Sequence, residues 1–136
     1  MLIDLENMLY ERSRRVDDAR AAKRIEAILD TAGPVQHTFV VGGQWAFIPH
    51  VALLAARSLP PFELVRPAPD SADRVLLDRG EFLASTGYTD FFIASRDRIF
   101  APFASSYRTT VITPSRRGLS RALEDAAAEV IVLTCG

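Results

Sequence analysis

Three aspartates stand where an α/β sheet would collect them. Asp4 closes the apolar run MLID, Asp73 lies in PDSADRVLLD just after FELVRP, and Asp97 lies in FFIASRDRIF. Asp4 and Asp97 each follow a strand-like run, and Asp73 falls in the first turn of a helix that follows one. In an open parallel sheet, functional groups gather outside the carboxyl ends of the strands, so carboxylates remote in sequence can meet there. Converging carboxylates repel unless a positive charge joins them, and a divalent metal is the usual solution. Each also has a plainer role. Asp4 can cap the turn Leu5-Glu6-Asn7. Asp70, Ser71 and Asp73 read as a helix start, with Asp73 turned either to solvent or into the cleft. Asp97 sits between Arg96 and Arg98, which would either pair with it or hold a backbone phosphate. Asn7, one helical turn beyond Asp4, would supply a neutral oxygen or orient the site. Glu6 reads as a further acid or a solvent-facing residue.

Other candidates are weaker. Glu11 to Arg15, ERSRR, is the densest basic cluster and would ordinarily be a solvated face; Arg116 and Arg117 form a second cluster. His37 and His50 lack metal-pair spacing. Trp45 and Phe47 suit a core or lid better than a base-stacking platform. Ser95, Ser105 and Ser106 have no nearby histidine and no nucleophile elbow, which argues against serine hydrolase chemistry. The chain lacks both the phosphate loop ending in Gly-Lys-Ser/Thr and the dinucleotide fingerprint, and Lys23 is its only lysine. Gly42-Gly43 reads as a turn, or else as a close approach to a phosphate. The formal net charge of −1 offers no global field for nucleic acid, so such binding needs a local patch. The single Cys135 excludes an internal disulfide and a cysteine zinc site.

The elements that must position these residues follow from hydrophobic period and turn chemistry. At 136 residues the length prior is one domain, 1–136, and 49% apolar residues fit a globular chain. Strands are expected at 1–4, 35–41, 62–66, 90–95, 109–113 and from Glu129. Helices are expected from Asp17 or Asp18 to about Ala32, from Trp45 to about Leu59 with Pro49 disrupting the start, and from Asp70 or Ser71 to Gly87. A short helix is expected around Phe100–Tyr107, and a last one from Ser120 to about Ala128. The helix before Gly87 should bury Val75, Leu76, Phe82 and Leu83. This alternation predicts a three-layer, doubly wound α/β fold, with a mainly parallel sheet of five or six strands and helices on both faces. No run of about 18 apolar residues exists to span a bilayer, and no signal pattern opens the chain, so a cytoplasmic protein without a membrane partner is expected.

These blocks together resemble the NYN domains, a branch of the PIN-like ribonucleases. LIDLENM is similar to the family's opening Asp-x-x-Asn motif, and FELVRPAPDSADRVLLD to its second block. FFIASRDRIFAPF is similar to the third, usually Ser-Gly-Asp-x-Asp-Phe followed by a Pro-Leu-like pair; here it reads Ser95 to Phe100, then Pro102-Phe103. The tail from Thr109 is similar to the closing strand-helix-strand. The resemblance spans essentially the whole chain, in order. It implies that Asp4, Asp73 and Asp97 bind Mg²⁺ or Mn²⁺ and cut RNA, supported by Asn7 and Ser95. Arg96 and Arg98, with Arg14 and Arg15 of the basic cluster, are the expected RNA contacts. Ile99 stands where the family usually has a second acid and Arg96 where it has glycine, so a one-metal or weak site is expected. The other readings are a degenerate PIN-like domain that binds RNA or a protein partner without cutting, and a small-molecule or mononucleotide binder on a generic α/β fold; a homodimer or a protein partner is compatible with any of them.

Overall fold

A computed structural model describes residues 1–57, the backbone of 63–64, and 71–134. A six-stranded sheet organises the chain. Its strands are β1 (Leu2–Asp4), β4 (Phe39–Gly42), β5 (Glu63–Leu64), β6 (Asp90–Ala94), β7 (Arg108–Thr113) and β8 (Glu129–Val132). All neighbouring strands pair in parallel, in the order β5-β4-β1-β6-β7-β8. A small antiparallel hairpin, β2 (Tyr10–Glu11) and β3 (Arg14–Arg15), stands apart from it. The helices are α1 (Leu5–Met8), α2 (Asp18–Ala32), α3 (Gln44–Phe47), α4 (Val51–Ala56), α5 (Ser71–Ser85), α6 (Ala101–Ser106) and α7 (Arg121–Ala126).

Both sheet faces are covered, and the strand sequences show why. Successive side chains alternate faces, so a strand buried on both sides must be apolar at every position. Ile3, Val40, Ala94 and Ile112 join one core cluster with Ile25, Ile28 and Leu29 of α2 and Phe47. Their neighbours Leu2, Val41, Ile93 and Val111 join the other, with Leu76 and Leu83 of α5, Phe103 and Leu123. The result is three layers. Asp17 caps α2 by accepting the Arg20 N–H at 2.8 Å, and Gly33 ends it at φ 67°. Ser120 caps α7 in the same way. Among the described residues, no helix is long and apolar enough to cross a membrane.

Several elements differ from the sequence expectation. The second sheet strand begins at Phe39 rather than residue 35, because its partner β1 begins at Leu2, opposite Phe39. The helix expected from Trp45 is split into α3, a 3-10 turn at Ile48–His50 and α4, since Pro49 has no N–H to continue an α-helical ladder. The third strand is described only at Glu63–Leu64; Asp70 and Cys135 lie outside the described residues. Phe82 is 62% exposed, not buried. The buried stripe of α5 runs through Asp73, Leu76, Gly80 and Leu83, a three-four-three spacing that Phe82 falls outside. The hairpin was not anticipated, because its tip carries neither Asn nor Gly.

Gly80 has a packing reason. A Cβ there would lie 2.8 Å from the Phe103 ring and 3.0 Å from Leu2. That ring cannot swing aside, since Phe91 and Tyr107 pack against it at centroid distances of 4.9 and 4.8 Å. Gly80→Ala should therefore destabilise by about 1–3 kcal/mol in urea unfolding, overriding the helix-propensity gain of about 1 kcal/mol. A stabilised variant would show that α5 can shift away from the sheet.

Candidate functional site

Connections leave the central strands in opposite directions: β1 is followed in the sheet by β4 on one side, and β6 by β7 on the other. A crevice is expected at the carboxyl ends between such strands. Asp4 ends β1, and Ser95, Arg96 and Asp97 follow β6 directly. The first turn of α5 brings in Asp73, and α5 packs on β1 and β4.

Asp4 and Asp73 meet there. Each is only 6% exposed. Burial pushes the Asp4 carboxyl up to about 8; the charge of Asp73 and a hydrogen bond shared with it act in the same direction. The Asn7 N–H and the Ser95 hydroxyl pull the other way but are outweighed. Asp4 occupies the cap position of α1, but the Asn7 N–H is the single helix N–H that favours its charged form and is outweighed, so capping does not account for its burial. Two carboxyls in one dry site cannot both ionise cheaply, so near neutral pH the pair retains a proton.

Ser95 links the pair to Asp97. Its fully buried hydroxyl donates to Asp4 Oδ2 at 3.3 Å and accepts the Asp97 N–H at 3.2 Å. Asp97 itself turns to the next element, where Oδ1 accepts the Ile99 N–H at 3.0 Å and caps the 3-10 turn Arg98–Phe100. Among the described residues no three acids gather in one metal-holding group. The structure thus brings Asp4 and Asp73 together and leaves Asp97 one hydroxyl away. Ile99 packs against the second core cluster.

The arginines divide in the same manner. Arg96 folds back onto the chain that follows Asp4: Nη2 donates to the carbonyls of Asn7 and Tyr10 at 2.6 and 2.8 Å. Its Nε and backbone N–H both donate to Asn7 Oδ1. Asn7 is therefore engaged by Arg96, and Arg96 serves as a clamp on α1 and the hairpin. Arg98, Arg14 and Arg15 are exposed. The loop after β7 closes against this corner, with the Ser120 N–H donating to the Arg96 carbonyl at 2.9 Å. Within that loop Arg116 is paired with Glu124.

Two contacts eluded the sequence. Glu6 Oε1 accepts the Gly43 N–H at 2.7 Å and ties the β4 turn to α1; any Cβ on residue 43 would lie 2.5 Å from that oxygen. This makes Gly43 a close-approach glycine. Arg24 of α2 is buried and donates from Nη1 to the Met8 carbonyl at 3.0 Å and from Nη2 to Glu11. A helical arginine amid small residues reads as solvated; its burial depends on where the hairpin lands.

A cavity of about 210 Å³ lies at the amino ends of the strands, lined by residues including His37, Tyr88 and Asp90. It is remote from the acid pair. No family model matches the chain, and no curated protein matches it. The likeness to NYN domains accordingly rests on the order and spacing of the motifs.

Proposed function

We propose that the chain is a divalent-metal-dependent ribonuclease of the PIN-like kind, with Asp4 and Asp73 as its metal-holding pair. The observation that carries this reading is the burial of two carboxyls against each other at the carboxyl end of the sheet. Such a pair is costly for stability unless a proton or a cation relieves it. The donor set suits the group: two hard carboxylates beside a serine hydroxyl match Mg²⁺ or Mn²⁺, which take one or two carboxylates and keep several waters. When bound, the ion would supply an activated water and offset charge on the phosphoryl oxygens. Ser95 holds Asp4 in position from one side. Arg96 keeps α1, and so the end of β1, from shifting. The exposed Arg98, directly after Asp97, is a cation available to a substrate phosphate.

The test is RNA cleavage in Mn²⁺ or Mg²⁺. Asp73→Asn should lower turnover at least about a hundredfold, because one charged ligand of two is lost. Asp97→Asn should cost less, about tenfold at most, since its carboxylate mainly caps the following turn. Undiminished cleavage in Asp73→Asn would sink this reading. One observation favours a second one, a domain that binds RNA without cutting: Asp97 is committed to a cap and Ile99 to the core, which leaves two acids in place of three or four. That reading expects salt-sensitive RNA binding with no metal-dependent turnover.

A further inference from the structure

We infer that the β2–β3 hairpin is a docking element for single-stranded RNA, with Tyr10 as its base-stacking ring and Arg15 as its phosphate contact. The inference takes its substrate class from the ribonuclease reading above; the surface itself is argued from geometry. Tyr10 pairs with Arg15 and Glu11 with Arg14. Cross-strand partners share a face, so the register sends the two adjacent arginines to opposite sides. Glu11, on the Arg14 side, is held by Arg24. On the other side Tyr10 packs edge-on against Trp45 at 5.2 Å, and the Arg15 guanidinium lies 4.9 Å over the Trp45 ring.

This face has the chemistry of a single-strand platform: an exposed aromatic ring, a second ring stiffening it, and a cation alongside. Stacking engages the flat side of a guanidinium and leaves its N–H edges for phosphate oxygens. The Arg15 guanidinium has no hydrogen-bond or ion-pair partner among the described residues beyond its stacking on Trp45. The hairpin is also held rigidly. Arg96 clamps the Tyr10 carbonyl and Arg24 anchors Glu11. Its two-residue turn places Arg12 and Ser13 at φ 49° and 65°, a conformation that favours Asn and Gly. A strained turn persists where its surroundings over-determine it, and such turns concentrate at ligand sites. Through Asn7 and Arg96, the platform is joined to the chain that carries Asp4.

Trp45 is the only tryptophan and so reports on this face directly. The experiment titrates single-stranded oligouridine of about ten nucleotides into the full chain, in low salt with EDTA, and follows Trp45 fluorescence. Saturable quenching is expected. Tyr10→Ala and Arg15→Ala should each weaken binding roughly fivefold or more, Tyr10→Phe should restore it, and Arg14→Ala should change it less than about twofold. Circular dichroism of each variant checks that the fold is retained. Equal losses in Arg14→Ala and Arg15→Ala, unchanged binding in Tyr10→Ala, or tighter binding of an RNA duplex would each overturn the inference. The ribonuclease reading fails separately: oligouridine binding without metal-dependent cleavage refutes that reading alone, and cleavage without hairpin-dependent binding refutes this one alone.

Discussion

Asp4→Asn is expected to make the metal-free protein more stable at pH 8 while removing its divalent-ion response. The folded state holds the Asp4 carboxyl at about 8, against 3.8 for the ordinary group. Below the lower value both folded and unfolded chains are protonated, and the shift costs nothing. Between the two values the unfolded chain has released its proton while the folded chain keeps it, so stability falls as pH rises, by up to about 1.4 kcal/mol per unit. Above about 8 the folded carboxyl ionises beside Asp73 and the loss is complete. An asparagine has no proton to lose. Its amide can donate to the Asp73 carboxylate, and its oxygen can still accept from Ser95. Thermal melts in EDTA should therefore show a falling Tm for the native sequence between pH 5 and 8 and a flatter profile for the variant. At pH 8 the variant should melt roughly 5–10 °C higher, corresponding to about 2–3 kcal/mol. Millimolar Mn²⁺ should raise the Tm of the native chain and leave the variant where it was, since only a ligand that binds the folded state stabilises it. Parallel pH profiles for the two proteins would show that the pair is not strained.

Arg24→Leu is expected to be among the most damaging single changes outside the acid pair. Arg24 is 2% exposed, and it satisfies a buried carbonyl of α1 and the carboxylate of Glu11 together. The leucine leaves both acceptors without a donor. Breaking a buried charge pair costs about 3–5 kcal/mol when the survivor is fully desolvated. Glu11 is 27% exposed and regains some water, so a loss of about 2–4 kcal/mol is expected in urea unfolding. The guanidinium also draws the Glu11 carboxyl below its ordinary value. That contribution is present above the ordinary glutamate pKa and disappears as pH falls through the lowered one, so the gap between native and variant should narrow in acid. A loss under about 1 kcal/mol would mean that the hairpin is held mainly by Arg96 and the contacts of Tyr10 and Arg15 with Trp45.

The two predictions separate what local sequence could carry from what it could not. Uninterrupted apolar runs such as FFIA and VVG are legible as strands buried on both faces, because a parallel sheet between helix layers needs no polar face. The α2 and α7 starts are legible because Asp17 and Ser120 cap them by short-range bonds. Asp4, Asp73, Ser95 and Asp97 are likewise readable as residues at strand ends and a helix start. That they could gather at the carboxyl ends of the strands is readable too; which of them meet is not, since it depends on strand order, and on α5 packing on β1 and β4 so that its first turn reaches Asp4. Phe82 illustrates the limit: it matches a helical period, yet the sheet face selects Leu76, Gly80 and Leu83.

By itself, the sequence determined the α/β layering and the candidacy of Asp4, Asp73 and Asp97, because hydrophobic period, caps and proline act over a few residues. Tertiary structure alone decided that Asp4 and Asp73 share a dry site while Asp97 caps a turn. It also turned Arg96 inward as a clamp and stood Tyr10 and Arg15 on one face with Trp45. Each of those outcomes is set by distance and burial between elements remote in the chain, and no local pattern encodes either quantity.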